Sequence, residues 1–366
     1  MTFFVPFGNQ VSRKRTVLVT GATGVVGTAL LPQLRRHRVV ALAHRRITPG
    51  NVITVHGDVT RPGLGLAPDR YEALVRHVDV VVHAAAETDL AAGPEAMLEL
   101  NVVGTGHVLD FARDAGATVH FLSSASVDRA AGFGAPPAEY VGSKRIGERL
   151  VRESGLPATI VRPSAVIGDG QTGEVAAFRG IATLLSAVLT SAVPLLPLDP
   201  DARVDTVPVD VLARALASLV DSGMDAGEYW VTAGEAALTA ARWVEILIDV
   251  GERLGLPVVL PRLVSPDCVR RLIRPVFLPG LSGTAQRRFD ELAPVASLYS
   301  APEVLPSDLA DLPGGTVLGL HQVACAVTAS ATYLAYAKGL TGYAGHNAGY
   351  DAGYDGERGR AVARHG

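Results

Sequence analysis

Apolar residues follow two different rhythms along the first half of the chain. Short runs rich in valine, isoleucine and threonine alternate with longer segments in which apolar residues recur every three or four positions. The short runs are typical of strands buried on both faces, and the longer segments are typical of helices. The predicted strands are Thr16–Thr20, Val39–Ala43, Val52–Val55, Val78–His83, Val119–Ser123 and Thr159–Arg162, with helices at Val25–Arg36 and near residues 67–76, 95–114 and 140–154.

This alternation predicts an α/β fold. Strands that alternate with helices join a parallel sheet through right-handed crossovers, which gives a Rossmann-type, doubly wound sheet with helices on both faces. After Pro163 the pattern becomes mainly helical, with a long apolar helix predicted in 167–203 and one further strand at Glu228–Thr232. The expected divisions are a lead-in at 1–15, an NAD(P)-binding domain at 16–163, a smaller, mainly helical substrate-binding lobe at 164–345 with a strand or two returning to the sheet, and a disordered tail at 346–366.

The charge balance and the cysteine content exclude several kinds of protein. Lys and Arg total 33 and Asp and Glu total 36, so the chain lacks the basic excess that a nucleic-acid partner requires. Cys268 and Cys325 are too few for a disulfide framework, which favours a reducing, cytoplasmic location, and no metal site is expected. The apolar stretches Ile181–Leu198 and Thr316–Ala337 contain a proline or several polar residues, so we expect buried helices and no membrane span.

Three glycines are spaced as GxxGxxG where the first predicted strand meets the first predicted helix. The segment Gly21-Ala-Thr-Gly24-Val-Val-Gly27 would let backbone N–H groups approach a pyrophosphate at the helix N-terminus. Because 39 glycines would give this spacing roughly 0.4 times by chance, its place after a strand is what favours a dinucleotide site over a packing turn.

The end of the second predicted strand indicates which dinucleotide binds. An NAD site needs a carboxylate there for the ribose 2′-hydroxyl, but this strand is followed by His44-Arg45-Arg46. A guanidinium suits a 2′-phosphate by charge and by its forked donors, so NADP(H) is predicted rather than NAD(H). An exposed basic turn is the alternative interpretation.

A tyrosine and a lysine lie four residues apart in Tyr140-Val-Gly-Ser143-Lys144, on one face of a predicted helix. A nearby ammonium would lower the pKa of the phenol and make it a proton donor near neutral pH. Nine tyrosines and only three lysines would give this spacing roughly 0.07 times by chance, although a surface helix remains the alternative.

Upstream, the fifth predicted strand ends in Ser123-Ser124-Ala125-Ser126. A hydroxyl at this edge could hold a substrate carbonyl oxygen, or the serines could simply end the strand.

Together these motifs resemble the extended short-chain dehydrogenase/reductases over at least residues 16–233. The resemblance implies that Ser124, Tyr140 and Lys144 form the catalytic trio, that Asn101 supports the active site, and that six segments contact the cofactor. The implied cofactor contacts are Gly21, Thr23, Gly24, Val25, Val26 and Gly27 in the glycine motif, His44, Arg45 and Arg46 after strand two, Asp58 and Val59 at the adenine, His83, Ala84 and Ala85 after strand four, Tyr140 and Lys144, and Pro163, Ser164 and Val166 at the nicotinamide.

Within that superfamily, the run Arg162–Glu174 followed by Val204–Asp210 is similar to the thioester reductase and fatty acyl-CoA reductase branch. This branch often has an arginine where His44 stands, and the interval from Ser124 to Tyr140 is short for the extended group. The resemblance implies an NADPH-dependent oxidoreductase that reduces an acyl thioester, aldehyde or ketone. The expected partner is a small lipophilic or biosynthetic molecule, free or bound to a carrier or CoA, and the enzyme would be a monomer or homodimer.

Two other functions fit the same fold. A sugar-nucleotide epimerase would hold NAD tightly, whereas a related dehydratase would have an Asp-Glu pair where Ala125-Ser126 follow Ser124. A cofactor-binding protein without catalysis would typically lack the tyrosine or the lysine, and this chain retains both.

Overall fold

The structure is a computed structural model that describes residues 13–44, 52–128, 138–277, 280 and 282–341. Within these ranges, runs rich in β-branched residues form several of the longer strands, because such side chains pack well on a pleated surface. The strands are β1 (Thr16–Thr20), β2 (Arg38–Ala43), β3 (Ile53–His56), β4 (Val80–His83), β5 (Thr118–Leu122), β6 (Ala158–Pro163), β7 (Ala165–Ile167), β8 (Leu195–Leu196), β9 (Arg203–Val204), β10 (Thr206–Pro208), β11 (Ala226–Val231), β12 (Leu238–Thr239), β13 (Arg262–Leu263) and β14 (Ser300–Ala301).

The helices between these strands present apolar stripes to the sheet or to one another. Short 3₁₀ segments occur at Leu31–Leu34, Pro62–Gly65, Ala125–Asp128 and Gly234–Ala236, and π-helical segments at Glu99–Val103 and Val269–Phe277. The α-helices are α1 (Val25–Leu30), α2 (Pro68–Val75), α3 (Gly93–Leu98), α4 (Gly104–Ala115), α5 (Ala138–Glu153), α6 (Ala182–Leu189), α7 (Val209–Ser222), α8 (Ala240–Arg253), α9 (Pro266–Cys268), α10 (Gly283–Tyr299) and α11 (Leu320–Ala337).

Seven strands form a parallel sheet in the order β3-β2-β1-β4-β5-β6-β11. The chain moves outward from β1 to β3, then crosses back and continues on the other side from β4. This reversal places a crevice between the carboxyl ends of β1 and β4, where ligands bind in open α/β sheets. The predicted α/β fold with a Rossmann-type parallel sheet is therefore confirmed.

The segments after β6 build a second group of elements beside the carboxyl edge. β11 joins the large sheet, while a small antiparallel sheet in the order β12-β9-β14 brings the end of α10 next to β9. Helix α11 packs on α6 and α8, and Leu184, Trp243 and Val327 are completely buried in their shared core. This part of the molecule is thus apolar and mainly helical.

The long helix predicted in 167–203 is wrong, since α6 covers only Ala182–Leu189. One reason is a tight turn in which Asp169 Oδ1 accepts hydrogen bonds from the backbone N–H groups of Gln171 and Thr172, both at 3.0 Å. A side chain that binds nearby backbone donors in this way offers the chain an alternative to helix. Pro194 then follows α6 and cannot donate the backbone hydrogen bond that a longer helix would need.

Within the ranges given above, no helix is both long and apolar enough to cross a bilayer. The same residues contain no group of three or more His, Cys, Asp or Glu side chains that could hold a metal ion. The predicted tail at 346–366 and most of the predicted lead-in at 1–15 lie outside the described residues.

Candidate functional site

The glycine motif forms a cradle of bare backbone between β1 and α1. Gly21 has a φ of +68°, and a Cβ atom added there would lie 2.6 Å from the Ala85 nitrogen and 2.7 Å from the Ala84 oxygen. A Cβ atom on Gly27 would overlap the Gly21 carbonyl oxygen. Only glycine allows this close approach, so the residues present fit the pyrophosphate of a dinucleotide. The remaining predicted contacts of the motif, Thr23, Gly24, Val25 and Val26, are all partly or fully exposed on this loop and the first turn of α1.

A buried hydrogen-bond chain fixes the end of β4 against this cradle. Thr20 Oγ1 lies 2.7 Å from His83 Nδ1 and accepts a hydrogen bond from the Ala85 backbone at 3.2 Å. On the other side, His83 Nε2 lies 3.1 Å from Thr105 Oγ1, whose own proton goes to the Asn101 carbonyl at 2.7 Å. The His83 ring must therefore carry its proton on Nε2. Burial, aided by the Lys144 charge, lowers the pKa of His83 to about 3, so the ring is neutral.

Asp58 and Val59, predicted at the adenine, follow β3. The Asp58 carboxylate accepts hydrogen bonds from the Thr60 backbone at 3.0 Å and the Thr60 hydroxyl at 2.7 Å. Burial raises the pKa of Asp58, but the Thr60 hydrogen bonds and the charges of His44 and Arg61 outweigh burial and lower it. Asp58 is thus a fixed anion, while Val59 is buried under α4.

His44 lies directly after β2, with its side chain 59% exposed and its Nε2 atom 3.7 Å from Asp58 Oδ2. It therefore stands beside the carboxyl edge with its ring open to solvent. Arg45 and Arg46 lie outside the described residues, so their contact with a 2′-phosphate stays a prediction.

Asn101 lies in the π-helical segment between α3 and α4 and is buried. Its side-chain oxygen accepts from the Glu87 backbone at 2.7 Å, and its Nδ2 donates to the Glu87 carbonyl at 3.0 Å and to Ser143 Oγ at 2.9 Å. Ser143 in turn donates to the Tyr140 carbonyl at 2.8 Å. Asn101 thereby connects the loop after β4 to the turn of α5 that carries Tyr140.

Ser124 and Tyr140 meet at the carboxyl edge of β5. Ser124 Oγ lies 2.8 Å from Ser126 Oγ, and Ser124 lies close enough to the buried phenol of Tyr140 to influence its pKa. Burial raises the pKa of Tyr140, and the neighbouring Ser124 hydroxyl opposes that increase. The net direction is thus opposite to the expected lowering by Lys144, because burial is the dominant effect.

Lys144 is buried one helical turn beyond Tyr140. Its Nζ atom donates to the Leu122 carbonyl at 3.1 Å and lies 5.6 Å from the centre of the Phe121 ring. Burial lowers the pKa of Lys144 to about 8, and the charge of Glu148 acts in the opposite direction. The ammonium is thus held on the β5 side of α5 by the sheet itself.

Pro163, Ser164 and Val166, predicted at the nicotinamide, connect β6 to β7 beside these residues. The buried Ser164 hydroxyl has no hydrogen-bond partner in the described residues, although it lies close enough to Asp205 to influence that carboxylate. Buried hydroxyls normally have a hydrogen-bond partner, so an unpaired one here is consistent with a site where a polar group of a ligand would bind.

The structure adds residues that the sequence analysis did not identify. A cavity of about 20 Å³ beside Ser124 is closed by Arg203, Asp205, Leu298, Tyr299 and Glu303. Leu298 packs with Tyr140 in one apolar cluster, and Tyr299 lies against it, with a pKa raised by burial and by Tyr140. No local sequence pattern identifies Leu298 and Tyr299 as site residues, because they reach the site through the pairing of β14 with β9. A larger cavity of about 310 Å³ lies elsewhere, between α7 and the loop at 309–316, and contains none of the predicted site residues.

Comparison with known proteins gives consistent matches. An NAD-binding family model described as Male sterility protein matches residues 42–216. The hybrid PKS-NRPS synthetase pvhA of Talaromyces variabilis is 31% identical over 227 residues, which cover 56% of this chain and 6% of that protein. The glycine betaine reductase ATRR of Emericella nidulans is 28% identical over 257 residues, which cover 57% of this chain and 20% of that protein. The chain thus spans a small part of the length of these curated relatives.

A solved structure with the same fold covers most of the chain. The terminal R domain from the myxalamid PKS-NRPS biosynthetic pathway is 23% identical, with a TM-score of 0.68, and the match covers 90% of this chain and 92% of that one. The likeness therefore includes the C-terminal elements as well as the parallel sheet.

Proposed function

We propose that the chain is an extended short-chain dehydrogenase/reductase of the thioester reductase-like branch, and that it acts as an NADPH-dependent carbonyl reductase. One observation carries the proposal: Ser124 lies beside the buried phenol of Tyr140 at the carboxyl edge of β5, with buried Lys144 one helical turn away. This group lies on the edge of the sheet that also carries the glycine cradle, where a dinucleotide and a substrate would meet.

In the proposed reaction, NADPH when bound supplies the hydride for the carbonyl carbon. Ser124 and Tyr140 bind the carbonyl oxygen, and Tyr140 donates its proton as negative charge develops there. Lys144 binds the nicotinamide ribose and stabilises the tyrosinate that remains. Asn101 holds the turn of α5 that carries Tyr140, through its contact with Ser143.

We propose an acyl thioester on a carrier as the substrate, with residues 164–345 as the substrate-binding lobe. The relatives include a PKS-NRPS synthetase and a reductase, and the lobe beside Ser124 is mainly apolar. Reduction of a thioester would give a hemithioacetal, which would collapse to an aldehyde and a free thiol. An aldehyde or a ketone would use the same three side chains in a single reduction.

The preference for NADPH rests on the charge at the end of β2. No carboxylate follows this strand at the position where an NAD site requires one, and His44 faces solvent there. Affinities for NADPH and NADH, measured by fluorescence titration, should differ by at least about tenfold, since a 2′-phosphate would gain charge-assisted hydrogen bonds. Equal affinities would contradict this assignment.

The decisive experiment is an NADPH-oxidation assay across acyl-CoAs, carrier-bound acyl thioesters, aldehydes, ketones and nucleotide sugars. Tyr140→Phe should reduce turnover by about 100-fold or more while NADPH affinity stays nearly unchanged, because only the proton donor is lost. Tyr336→Phe, at an exposed tyrosine of α11, is the matched control. If the protein instead purifies with bound NAD and converts nucleotide sugars without added NADPH, it is an epimerase and the reductase proposal fails.

A further inference from the structure

A buried carboxylate lies on the same face of α5 as the two proposed catalytic side chains. Tyr140, Lys144 and Glu148 are spaced by four residues, so they lie along one side of the helix. Glu148 is only 3% exposed. Acidic side chains are seldom buried unless they are paired, and none of the roles proposed above uses this one.

Four donors surround the Glu148 carboxylate. Oε1 accepts from Ser123 Oγ at 2.6 Å and from Arg162 Nε at 2.8 Å, while Oε2 accepts from Arg162 Nη2 and Arg152 Nη2, both at 2.7 Å. Burial raises the pKa of Glu148, but the hydrogen bonds from Arg162 and Ser123 outweigh burial and lower it. The carboxylate is therefore a permanent anion whose position is set by the forked guanidinium.

Arg162 extends these contacts to the neighbouring strands. Its Nη2 atom also donates to Glu228 Oε2 at 2.6 Å, and its guanidinium lies 5.3 Å from the ring of Trp230. Arg162 immediately precedes Pro163, and Ser123 immediately precedes Ser124. Glu148 thus connects α5 directly to the ends of β5 and β6, and through Arg162 to β11.

We infer that Glu148 is a positioning residue for the proposed reduction, on which this inference rests: its carboxylate fixes the Ser123–Ser124 end of β5 and places a negative charge one helical turn from Lys144. The mechanism needs both, since Ser124 must face the carbonyl oxygen and Lys144 must be an ammonium. Glu148 itself touches neither the oxygen nor the proton that moves.

Among the described residues, the charged and titratable groups around Lys144 include Tyr140 and Glu148 on α5 and the neutral ring of His83 at the end of β4. Arg162 of β6 donates hydrogen bonds to Glu148. From β5, Lys144 receives a backbone carbonyl and a phenyl ring. Since the pKa of Lys144 is about 8 with Glu148 charged, removing that charge should lower it further.

The test compares Glu148→Gln with Glu228→Gln. Both substitutions remove a carboxylate from the same hydrogen-bond network, but only Glu148 lies one helical turn from Lys144. A general loosening of the network should therefore affect both variants, whereas an effect on Lys144 should appear only in Glu148→Gln. For Glu148→Gln we expect the alkaline limb of the kcat/KM profile to move to lower pH by about one unit, with kcat reduced about tenfold. For Glu228→Gln the limb should stay where it is in the wild type. Coincident limbs in Glu148→Gln and wild type would overturn the inference.

A second readout does not depend on activity. The chain has only three lysines, so NMR of selectively labelled lysine side chains should resolve the titration of Lys144. The midpoint should fall in Glu148→Gln and stay fixed in Glu228→Gln; an unchanged midpoint in Glu148→Gln overturns the charge effect. If the midpoint falls as expected but the wild type reduces no carbonyl substrate, it is the proposed function that fails.

Ser123→Ala separates position from charge and avoids the folding risk of altering a buried anion. This substitution removes one donor but leaves the carboxylate, so the Lys144 midpoint should not move. Release of the β5 end should still lower kcat by about three- to tenfold, a cost comparable to one hydrogen bond. A Ser123→Ala variant with wild-type kcat would overturn the positioning of Ser124.

Discussion

Tyr140 lies between two regions that hold their residues in different ways. On the sheet side, Thr20, His83 and Thr105 form a buried chain in which each polar atom has a partner. On the other side, Leu298 and Tyr299 reach the site from the end of α10 by apolar packing and a two-residue strand. Hydrogen bonds are directional, whereas apolar contact is not. The sheet side can therefore fix the geometry of a reaction, and the α10 side can define how much space a substrate has.

Gly21→Ala should have the largest effect, because it tests the most closely packed point of the sheet side. The new Cβ atom would lie within 2.7 Å of the Ala84 and Ala85 backbone and would require a positive φ. We expect a loss of about 2–4 kcal/mol in the free energy of unfolding and no measurable NADPH binding at micromolar cofactor. Chemical denaturation and fluorescence titration would measure these quantities.

Gly106→Ala is the matched control for this substitution. Gly106 lies inside α4, and an added Cβ atom there would meet nothing within 4 Å. This variant should be more stable by about 0.5–1 kcal/mol, since alanine favours a helix. A Gly21→Ala protein with normal stability and cofactor affinity would show that the sheet side is not rigid at its centre.

Lys144→Arg should have the next largest effect and tests whether charge alone is enough on the sheet side. Lys144 is 4% exposed, and its Nζ atom fits between the Leu122 carbonyl and the Phe121 ring. A planar guanidinium keeps the charge but is larger, so turnover at saturating NADPH should fall by about 100-fold or more. Lys338→Arg, at an exposed lysine after α11, should leave turnover unchanged. Equal turnover in both variants would mean that charge, not position, is what this side supplies.

The sheet side could be predicted from sequence because its signals are local. The glycine motif, Ser124 at a strand end, and Tyr140 four residues before Lys144 depend only on spacing within one or two elements. Glu148 continues that spacing and could have been found by following the face of α5 one turn further. The raised pKa of Tyr140 could not, because it depends on burial, to which the distant Leu298 contributes by packing in the same apolar cluster.

The α10 side was not predictable for a physical reason. The strands that bring Tyr299 to the site, β9 and β14, have two residues each and show no alternation of apolar and polar positions. Their pairing depends on tertiary contacts among apolar helices, and the spacing of apolar residues along the sequence does not predict those contacts. The helix wrongly predicted in 167–203 has a local cause instead, because the Asp169 side chain binds the backbone N–H groups of Gln171 and Thr172.

The pH dependence of stability offers a third test of the sheet side. Burial lowers the pKa of His83 from an ordinary value of 6.5 to about 3. Between these values the unfolded chain binds a proton that the folded protein does not, so stability should fall as the pH falls. The slope from this site is about 1.4 kcal/mol per pH unit, and it should disappear in His83→Asn.

Denaturant unfolding at pH 7, 6, 5 and 4 would measure that slope. His77→Asn is the control, since this histidine is exposed and its ring is hydrogen-bonded to the Ala73 carbonyl in α2. Burial also lowers the pKa of His120, to about 4, so part of the slope should remain in every variant. If His83→Asn keeps the full slope, the ring of His83 is not held neutral by the folded protein.

Tyr299→Ala should give the smallest effect, and it tests the α10 side directly. Tyr299 packs against the apolar cluster around Tyr140 and closes a cavity of only about 20 Å³ beside Ser124, so its removal should enlarge the substrate space. We expect the preference for long over short acyl substrates, measured as a ratio of kcat/KM, to rise by about tenfold or less, because a few methylenes decide it. NADPH affinity should not change, since the glycine cradle lies on the other side of Tyr140. The control is Tyr336→Ala at an exposed site, which should change neither the substrate preference nor the NADPH affinity. If Tyr299→Ala instead weakened NADPH binding as strongly as Gly21→Ala, the two sides would act as one rigid unit, and space for substrate could not be altered independently of the chemistry.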